Sequence, residues 1–348
     1  DDAYMAELKK QIIHPEVITE MAEDITIVYS PFNGTGNVPV RRVLAELGFK
    51  KVYVVPEQEM PDPKFTTLKY PNPEDPDAFT LALKLAKEVK ADIVLATDPD
   101  ADRLGIYALD TKSGEYIPFT GNMSGMLIAD YILRERRATN TMPVNPALVK
   151  TIVTTNMADV IAKVYDVKLI EVLTGFKYIG GEILALEEQN QQHRFIFGFE
   201  ESFGYLSGTQ GRDKDGVNAS LLLCETTCAC MEKGETLYDA LQKLYQKYGY
   251  YKETGVSVVL PGKDGVEKMK GIMDNLRNNP PAELAGLKVT GIRDFGRSIR
   301  IADGKEEKLD YPKSNVLYFE LENNNWLCIR PSGTEPKIKL YVATKADT

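Results

Sequence analysis

Three aspartates at alternate positions, Asp98, Asp100 and Asp102, lie in the segment ATDPDADRLGI and are followed directly by Arg103. Like charges this close repel one another unless a cation lies among them. Hard divalent cations prefer oxygen ligands, and alternate carboxylates of one loop can converge on a single ion. We therefore predict that the three aspartates bind a metal ion. Mg²⁺ is favoured over Ca²⁺ because Mg²⁺ typically takes few carboxylates together with a phosphate oxygen.

Three other interpretations of this acidic loop compete with a magnesium site. An EF-hand is excluded, because its sixth position, a glycine, is Arg103 here and its twelfth, a glutamate, is Leu109. A phosphatase of the haloacid dehalogenase type, with Asp98 as nucleophile, needs a paired-acid site downstream, and the chain offers no convincing one. Pro99, which rigidifies the loop, and the attached Arg103 favour metal binding over a solvated acidic turn.

A second group of polar residues lies in GFEESFG (198–204) and in the GRDKDGV segment that follows it. Glu200 and Ser202 supply a carboxylate and a hydroxyl, which suit recognition of vicinal sugar hydroxyls at the rim of a pocket. Lys214 adds a cation beside these acids. A charged turn before a helix remains the alternative for this segment.

The third group lies in RPSGTEPKIKLYV (330–342), where one turn offers a guanidinium, two hydroxyls and an unhindered backbone N–H. Such a set can bind phosphate without a Walker sequence, although a plain hairpin turn is the alternative. The glycine loop NGTG (33–36) does not match a dinucleotide fingerprint, since Pro39 stands where its third glycine belongs. We predict that it leads into a helix with Pro39 in the first turn.

The elements that position these groups alternate between apolar strands and helices. The segments 91–96 and 193–200 are predicted strands, and each carries acidic residues at or just beyond its carboxyl end. The segment TGFKYIGG (174–181) follows another such strand. Strands joined by crossover helices imply a parallel sheet covered on both faces, and ligands bind beyond the carboxyl ends of its strands. The pattern of the first unit recurs about 125 residues later.

Beyond residue 250 the pattern changes to alternating strands with one helix, over 265–278. We therefore predict two consecutive mixed-sheet α/β domains of similar design followed by a smaller α+β domain. The predicted domains are 1–117 for metal binding, 118–245 for sugar binding and 246–348 for phosphate binding. The chain is predicted to open with one helix that ends near Met21.

The composition is that of a soluble globular protein: 348 residues, 43% hydrophobic and 27% charged. A net charge of −9 argues against nucleic acid or an anionic membrane as partner. No apolar run reaches transmembrane length, and the N-terminus is not a secretory signal. Because there is no C-x-x-C pair, reduced core thiols of a cytoplasmic protein are favoured over a zinc site for the four cysteines, Cys224, Cys228, Cys230 and Cys328.

Taken together and in this order, the motifs TDPDADR, TGFK, EES with RDKDG, and RPSGTEPK resemble those of the α-D-phosphohexomutase superfamily. The resemblance covers essentially the whole chain and is greatest to the phosphoglucomutase and phosphopentomutase branch. It implies Mg²⁺ as cofactor and a hexose or pentose phosphate as substrate. The implied site residues are Asp98, Asp100 and Asp102 as metal ligands; Arg103 and Lys214 in catalysis, Lys214 as a general acid or base; Gly175, Phe176 and Lys177 in the loop that selects substrate orientation; Glu200 and Ser202 on the sugar hydroxyls; and Arg330, Ser332, Gly333, Thr334 and Lys337 on the non-reacting phosphate.

The resemblance also implies a reaction, in which a phosphoserine interconverts glucose 1-phosphate and glucose 6-phosphate through a bisphosphorylated sugar. Members of the superfamily carry that serine in a first domain, within a Thr-Ala-Ser-His-Asn-Pro-like motif that this sequence does not contain. We therefore expect a fragment that lacks the phosphoryl donor and is inactive by itself. A non-catalytic sugar-phosphate-binding protein, a phosphatase, and specificity for mannose or pentose phosphates remain alternatives, and the oligomeric state is left open.

Overall fold

The computed structural model describes residues 1–262, 264–333 and 335–346, which fall into two compact units, residues 1–248 and residues 249–348. The α-helices are α1 (Asp2–Lys9), α2 (Pro15–Met21), α3 (Asn37–Glu46), α4 (Pro56–Glu59), α5 (Thr80–Val89), α6 (Gly121–Ala138), α7 (Met157–Tyr165), α8 (Phe176–Glu188), α9 (Gly216–Met231), α10 (Leu237–Tyr248) and α11 (Gly265–Asn278). The strands are β1 (Thr26–Ser30), β2 (Lys51–Val54), β3 (Ile93–Thr97), β4 (Leu104–Asp110), β5 (Glu115–Phe119), β6 (Ala147–Thr151), β7 (Lys168–Val172), β8 (Phe195–Phe199), β9 (Tyr205–Ser207), β10 (Tyr250–Val259), β11 (Glu283–Leu284), β12 (Leu287–Asp294), β13 (Ile299–Ala302), β14 (Lys305–Lys308), β15 (Leu317–Leu321), β16 (Trp326–Pro331) and β17 (Lys337–Ala346).

The first sheet of residues 1–248 has the strand order β2-β1-β3-β4-β5. Strands β2, β1 and β3 are parallel, as the alternation of strands and helices predicts, whereas β4 and β5 run antiparallel. The sheet is therefore mixed, as the predicted fold class has it, because the chain reverses directly after the aspartate loop without a crossover helix. Helix α5 covers one face, where Phe79 joins Val28 and Val94 in a buried cluster.

The second sheet has the order β7-β6-β8-β9, which repeats the arrangement of the first four strands of the first sheet. Strands β7, β6 and β8 are parallel and β9 is antiparallel. Helix α8 packs on β6 and β8 through a buried cluster that includes Ile179, Ile183 and Phe195. The prediction of two α/β units of similar design with mixed sheets is confirmed.

Helix α9 joins the two sheets into one compact unit. Nearly all of its residues are buried, and a helix that is apolar on every side belongs in an interior rather than on a surface. It contacts β9 of the second sheet and also β3, β4 and α3 of the first. The predicted boundary near residue 118 therefore lies inside this unit.

The opening segment forms two helices, so the prediction of one helix to Met21 is wrong. Pro15 is the first residue of α2, and His14 before it has the non-helical angles φ −131° and ψ 74°. Proline removes a helical N–H and disfavours helical angles in the residue before it. The freed amides of Ile13 and His14 donate to Glu225 Oε1, at 2.9 and 2.7 Å.

Residues 249–348 form an antiparallel sheet of the order β10-β17-β16-β15-β12-β13-β14, with β11 paired to β12. Helix α11 has the predicted bounds and packs Met273 into a buried cluster with Phe319 and Ile338. The smaller α+β domain is thus confirmed. The segment predicted to bind phosphate, residues 330–337, lies at the connection of β16 to β17 and is called the phosphate segment.

Within the described part of the chain, every helix is too short or too polar to cross a membrane. All four cysteines are buried free thiols. Their burial agrees with their prediction as core thiols.

Candidate active site

The aspartate loop begins directly after β3 and turns sharply. Asp98 is buried, with 2% of its surface exposed, whereas Asp100 is exposed and Asp102 is half-buried. Ala101 takes a left-handed φ of 59°, an uncommon and strained angle for a residue with a side chain. The turn brings one carboxylate oxygen from each aspartate within 4.8 Å of the others.

Arg103 is the first cation among these charges. Its backbone N–H donates to Asp98 Oδ1 at 3.0 Å, and its Nε donates to Oδ2 of the same carboxylate at 2.7 Å. Its Nη1 donates to Asn72 Oδ1 at 3.1 Å and lies 3.2 Å from Glu74 Oε1. Burial nevertheless raises the pKa of Asp98 to about 6, since the loss of water outweighs the attraction of Arg103.

Lys214 is the second cation. Its Nζ lies 2.8 Å from Asp102 Oδ2 and 3.1 Å from Asp213 Oδ1, and its alkyl chain lies across Gly204. Burial opposes the charge of Lys214, but the bonds to Asp102 and Asp213 prevail and hold its pKa above the ordinary value. Its side chain is therefore an ammonium at neutral pH, able to donate a proton rather than to accept one.

The glycine loop before α3 supports the aspartate loop. The N–H and Oγ1 of Thr35 both donate to Pro99 O, at 2.8 and 3.1 Å. A Cβ on Gly34 would lie 2.3 Å from Pro99 Cα, so a side chain there would displace the aspartate loop. Pro39 lies in the first turn of α3, as predicted, while the contact with Pro99 was not foreseen.

The TGFK and EES segments meet beside Lys214. The N–H of Gly175 donates to Glu200 Oε1 at 2.9 Å, and its φ of 121° is an angle that residues with a side chain rarely adopt. Phe176 begins α8, and its ring centre lies 5.9 Å from Lys214 Nζ. Lys177 points to solvent, with its Nζ 5.0 Å from the centre of the Tyr178 ring.

The sugar loop, defined as Glu200–Ser202, combines a buried acid with a strained turn. Glu200 is buried and Ser202 is half-buried. Phe203, the next residue, has a left-handed φ of 68°. Burial, and next the charge of Glu200, raise the pKa of Glu201 to about 7.

Backbone contacts between the two sheets bring the aspartate loop and the sugar loop together. The N–H of Leu104 donates to Phe203 O at 3.0 Å, and the N–H of Gly216 donates to Ala101 O at 2.9 Å. Arg103 and Gly204 form an isolated antiparallel bridge. The structure thus gathers the aspartates, Arg103, Lys214, the sugar loop and the start of α8 at one place.

The phosphate segment lies in the second compact unit, residues 249–348. Ser332 N–H donates to Lys337 O at 2.8 Å, and Glu335 N–H donates to Ser332 Oγ at 3.3 Å. Arg330 is half-buried at the end of β16, and Gly333 is exposed with no heavy atom near the position of a Cβ. Thr334, also predicted to bind phosphate, lies outside the described residues.

The donor set of the aspartate loop fits a hard divalent cation. Three carboxylates supply oxygen ligands within reach of one ion. Among the described residues, no other group of three or more histidine, cysteine or acidic side chains converges in this way. Arg103 and Lys214 offset only part of the negative charge of the aspartates, because they also pair with Glu74 and Asp213, so the loop still attracts a cation.

Family models match almost the whole chain in three consecutive parts. Residues 2–111 match the phosphoglucomutase/phosphomannomutase α/β/α domain II, residues 120–248 domain III, and residues 228–348 the C-terminal domain. The chain belongs to the phosphoglucomutase/phosphomannomutase family.

Two relatives named phosphoglucomutase illustrate how this chain relates to the family. The enzyme of Staphylococcus haemolyticus is 36% identical over 326 residues, and that of Staphylococcus aureus is 38% identical over 324 residues. These alignments cover 93% and 92% of this chain but only 58% and 57% of the relatives. The chain therefore spans a little under three fifths of the length of these relatives.

Solved structures of family members share the fold. The Paramecium phosphoglucomutase pp63/parafusin, in its open form, superimposes with a TM-score of 0.70 at 18% identity, over all of this chain and 58% of that one. A family protein from Burkholderia thailandensis gives a TM-score of 0.62 at 17% identity, over 96% of this chain and 61% of that one. At these identities the likeness shows the fold alone.

Analysis of the sequence does not identify all the residues that surround the candidate site. Asn72 and Glu74, which bind Arg103, lie far from the motifs and have no pattern of their own. Thr35, which binds the aspartate loop, lies in the glycine loop NGTG, whose pattern does not indicate this contact. Lys150 carries a detectable signal, because it is a charged residue within the apolar strand β6. Glu201 is adjacent to Glu200, and only its contacts with the hydroxyls of Thr151 and Thr154 distinguish the two.

Proposed function

We propose that this chain is the metal-, sugar- and phosphate-binding part of a Mg²⁺-dependent mutase that interconverts glucose 1-phosphate and glucose 6-phosphate. The observation that carries the proposal is the meeting of the aspartate loop, the sugar loop and the start of α8 around Lys214. The names of the relatives, which are phosphoglucomutases, support glucose phosphates as substrates.

In this proposal Asp98, Asp100 and Asp102 hold the Mg²⁺, which when bound neutralises charge on the oxygens of a transferring phosphoryl group. Arg103 fixes the buried Asp98 carboxylate through two hydrogen bonds. It thereby keeps that ligand ionised and correctly oriented. Lys214 carries a proton at Nζ that it can donate to a sugar or phosphate oxygen.

The sugar hydroxyls bind Glu200 and Ser202. A carboxylate accepts hydrogen bonds from neighbouring hydroxyls, and a serine hydroxyl can donate or accept. A few contacts of this kind tolerate a sugar that binds in two orientations, as a mutase requires. Gly175, Phe176 and Lys177 border this position and select between the orientations.

The phosphate that does not react binds the segment between β16 and β17, through Arg330, Ser332, Gly333, Thr334 and Lys337. A guanidinium and hydroxyls match the oxygens of a phosphate group. Binding energy from this remote group serves to position the reacting group at the other end of the sugar.

The phosphoryl donor is a phosphoserine that this chain does not supply, because the sequence contains no Thr-Ala-Ser-His-Asn-Pro-like segment. We propose that the 348-residue chain binds Mg²⁺ and glucose 1-phosphate in the cytoplasm but does not catalyse turnover by itself. Turnover would require a partner or preceding segment that carries the serine.

Calorimetry and a turnover assay on the same 348-residue chain test this proposal. We expect binding of Mg²⁺ and of glucose 1-phosphate, and no conversion to glucose 6-phosphate. Failure to bind either ligand would contradict the proposed function. Substantial turnover would contradict the proposed inactivity. Parallel titrations with mannose 1-phosphate and ribose 1-phosphate rank the substrate alternatives.

The variant Lys214→Met should change the affinities for Mg²⁺ and for glucose 1-phosphate in opposite directions. The variant removes the positive charge of Lys214 that lies beside Asp102. Because this charge repels a metal ion, its removal is expected to tighten Mg²⁺ binding by roughly threefold to tenfold. The same change is expected to weaken glucose 1-phosphate binding at least about tenfold, through loss of a charged hydrogen bond. Lys87→Met, an exposed lysine on α5, is the matched control and should change neither affinity.

A further inference from the structure

A polar network centred on a buried lysine lies beside the sugar loop, at the carboxyl end of β6. Lys150 is fully buried, and its Nζ lies 3.1 Å from Asp159 Oδ2, 3.2 Å from Glu171 Oε2 and 3.0 Å from Asn156 Oδ1. Burial of an ammonium is costly unless each of its protons finds an acceptor. Here these three acceptors lie within 3.2 Å of the ammonium nitrogen, so the network fixes the lysine in place.

This network continues into the turn after β6 and on towards the sugar loop. Lys150 Nζ also donates to Thr154 O, at 3.4 Å. The hydroxyls of Thr154 and Thr151 are hydrogen-bonded to each other at 2.8 Å, and both are buried. These hydroxyls lie 3.5 and 3.4 Å from Glu201 Oε2, at the outer limit of a hydrogen bond.

The start of α6 holds the same two segments by their backbones. Asn122 Oδ1 accepts a hydrogen bond from Thr155 N–H at 3.2 Å, which ties the turn after β6 to α6. A Cβ on Gly121 would lie 2.2 Å from Glu201 O, so the backbone of the sugar loop lies directly on this helix. The sugar loop therefore rests on two supports that the binding motifs do not include.

We infer that Lys150, Thr154 and Glu201 position the sugar loop for recognition of the sugar phosphate, an inference whose ligand-binding part rests on the proposed function. Lys150 and Thr154 are fully buried, so they act through the loop rather than on the ligand. The left-handed Phe203 beside the loop needs such support, because strained backbone persists only where its surroundings enforce it. Glu200 then presents its carboxylate in the place set by the Gly175 N–H.

Two substitutions at Thr154 in the 348-residue chain separate shape from hydrogen bonding. Thr154→Val keeps the shape and removes the hydroxyl, while Thr154→Ser keeps the hydroxyl. Thr227→Val is the matched control, because Thr227 is equally buried on α9 and donates only to Leu223 O, within its own helix. Lys150→Met tests the network more severely, but it leaves two carboxylates without their cation and can prevent folding.

The measurements are hydrogen exchange of peptides that contain Gly175 and residues 200–204, and calorimetry with glucose 1-phosphate and Mg²⁺. We expect Thr154→Val to accelerate exchange in both peptides and to weaken glucose 1-phosphate binding about fivefold, as loss of one neutral hydrogen bond implies. Mg²⁺ binding should stay unchanged, and Thr154→Ser should restore wild-type values.

The inference is overturned if Thr154→Val exchanges like the wild type, or if Thr227→Val accelerates the same two peptides equally. A wild-type chain that binds no glucose 1-phosphate would contradict the proposed function instead. Hydrogen exchange, which needs no ligand, still decides in that case whether Thr154 positions the loop.

Discussion

The aspartate loop and the phosphate segment both carry charge for ligand binding, yet the protein holds them in different ways. The aspartate loop is tied from two sides, by Thr35 N–H to Pro99 O and by Gly216 N–H to Ala101 O. The phosphate segment bonds to itself, through Ser332 and Lys337, and has one backbone hydrogen bond to the residue after β10, from Leu260 N–H to Pro336 O. A buried carboxylate needs hydrogen-bond partners within the protein even when no ligand is bound. The polar groups of an exposed cationic turn can instead form hydrogen bonds with water. Substitutions should therefore affect folding and binding together in the first region and binding alone in the second.

The largest expected effect is at the metal ligands. Asp98→Asn should weaken Mg²⁺ binding more than about 100-fold and lower the free energy of unfolding by about 1–2 kcal/mol, because the Nε of Arg103 loses its acceptor. Asp100→Asn should weaken Mg²⁺ binding similarly, while stability changes by less than about 0.5 kcal/mol, since Asp100 is exposed. Calorimetry and urea unfolding measure both quantities. Equal destabilisation by the two variants would remove the distinction between buried and exposed ligands.

In the phosphate segment, Arg330→Gln should weaken glucose 1-phosphate binding by about 10- to 100-fold, the effect of losing a charge-assisted hydrogen bond. The free energy of unfolding should change by less than about 0.5 kcal/mol, as at most surface positions. The same two methods apply. A clear loss of stability would show that this segment is also part of the framework.

Glu201, in the sugar loop beside the aspartate loop, should make the free energy of unfolding depend on pH. Its pKa is about 7 in the folded protein and near 4.5 in the unfolded chain, so the folded state binds the proton more tightly. Its contribution to stability is fully present below pH 4.5 and is lost as the pH rises towards 7, by an amount on the order of 1–3 kcal/mol. Asp98 acts in the same direction, with a pKa of about 6. Urea unfolding between pH 4.5 and 8 should show a smaller decline for Glu201→Gln than for the wild type. Parallel curves for the two proteins would contradict the assignment.

The smallest effects are expected at two glycines, Gly175 and Gly333. Gly175→Ala should destabilise the protein by about 1 kcal/mol or more, because alanine is strained at a φ of 121°. Gly333→Ala should change stability by less than about 0.5 kcal/mol, since its Cβ would lie in open space. Thermal unfolding of the two variants is sufficient to compare them. A destabilising Gly333→Ala would indicate that the phosphate segment is held more rigidly than its contacts imply.

Much of the fold could be predicted because its elements carry strong local patterns. Helix α11 has its predicted bounds, and the strand before the aspartate loop, β3, follows from an apolar run. The single opening helix was wrong because apolar periodicity continues through Pro15, where the backbone cannot. Strands β4 and β5 were missed because the chain reverses directly after the aspartates. No helical segment separates β3, β4 and β5, so the alternation of strands and helices does not indicate them.

The sequence by itself determined which residues can bind a cation, a sugar and a phosphate, because those capacities belong to side-chain chemistry and to spacing along one loop. Only the tertiary structure decided how the aspartate charges are balanced, since it brings Lys214 from a distant segment to Asp102 and turns the adjacent Arg103 back onto Asp98. It also decided that α9 joins both sheets and that Lys150 and Thr154 lie behind Glu201. Most of these contacts join residues that are distant in the chain, and burial strengthens them. No local pattern of residues therefore predicts them.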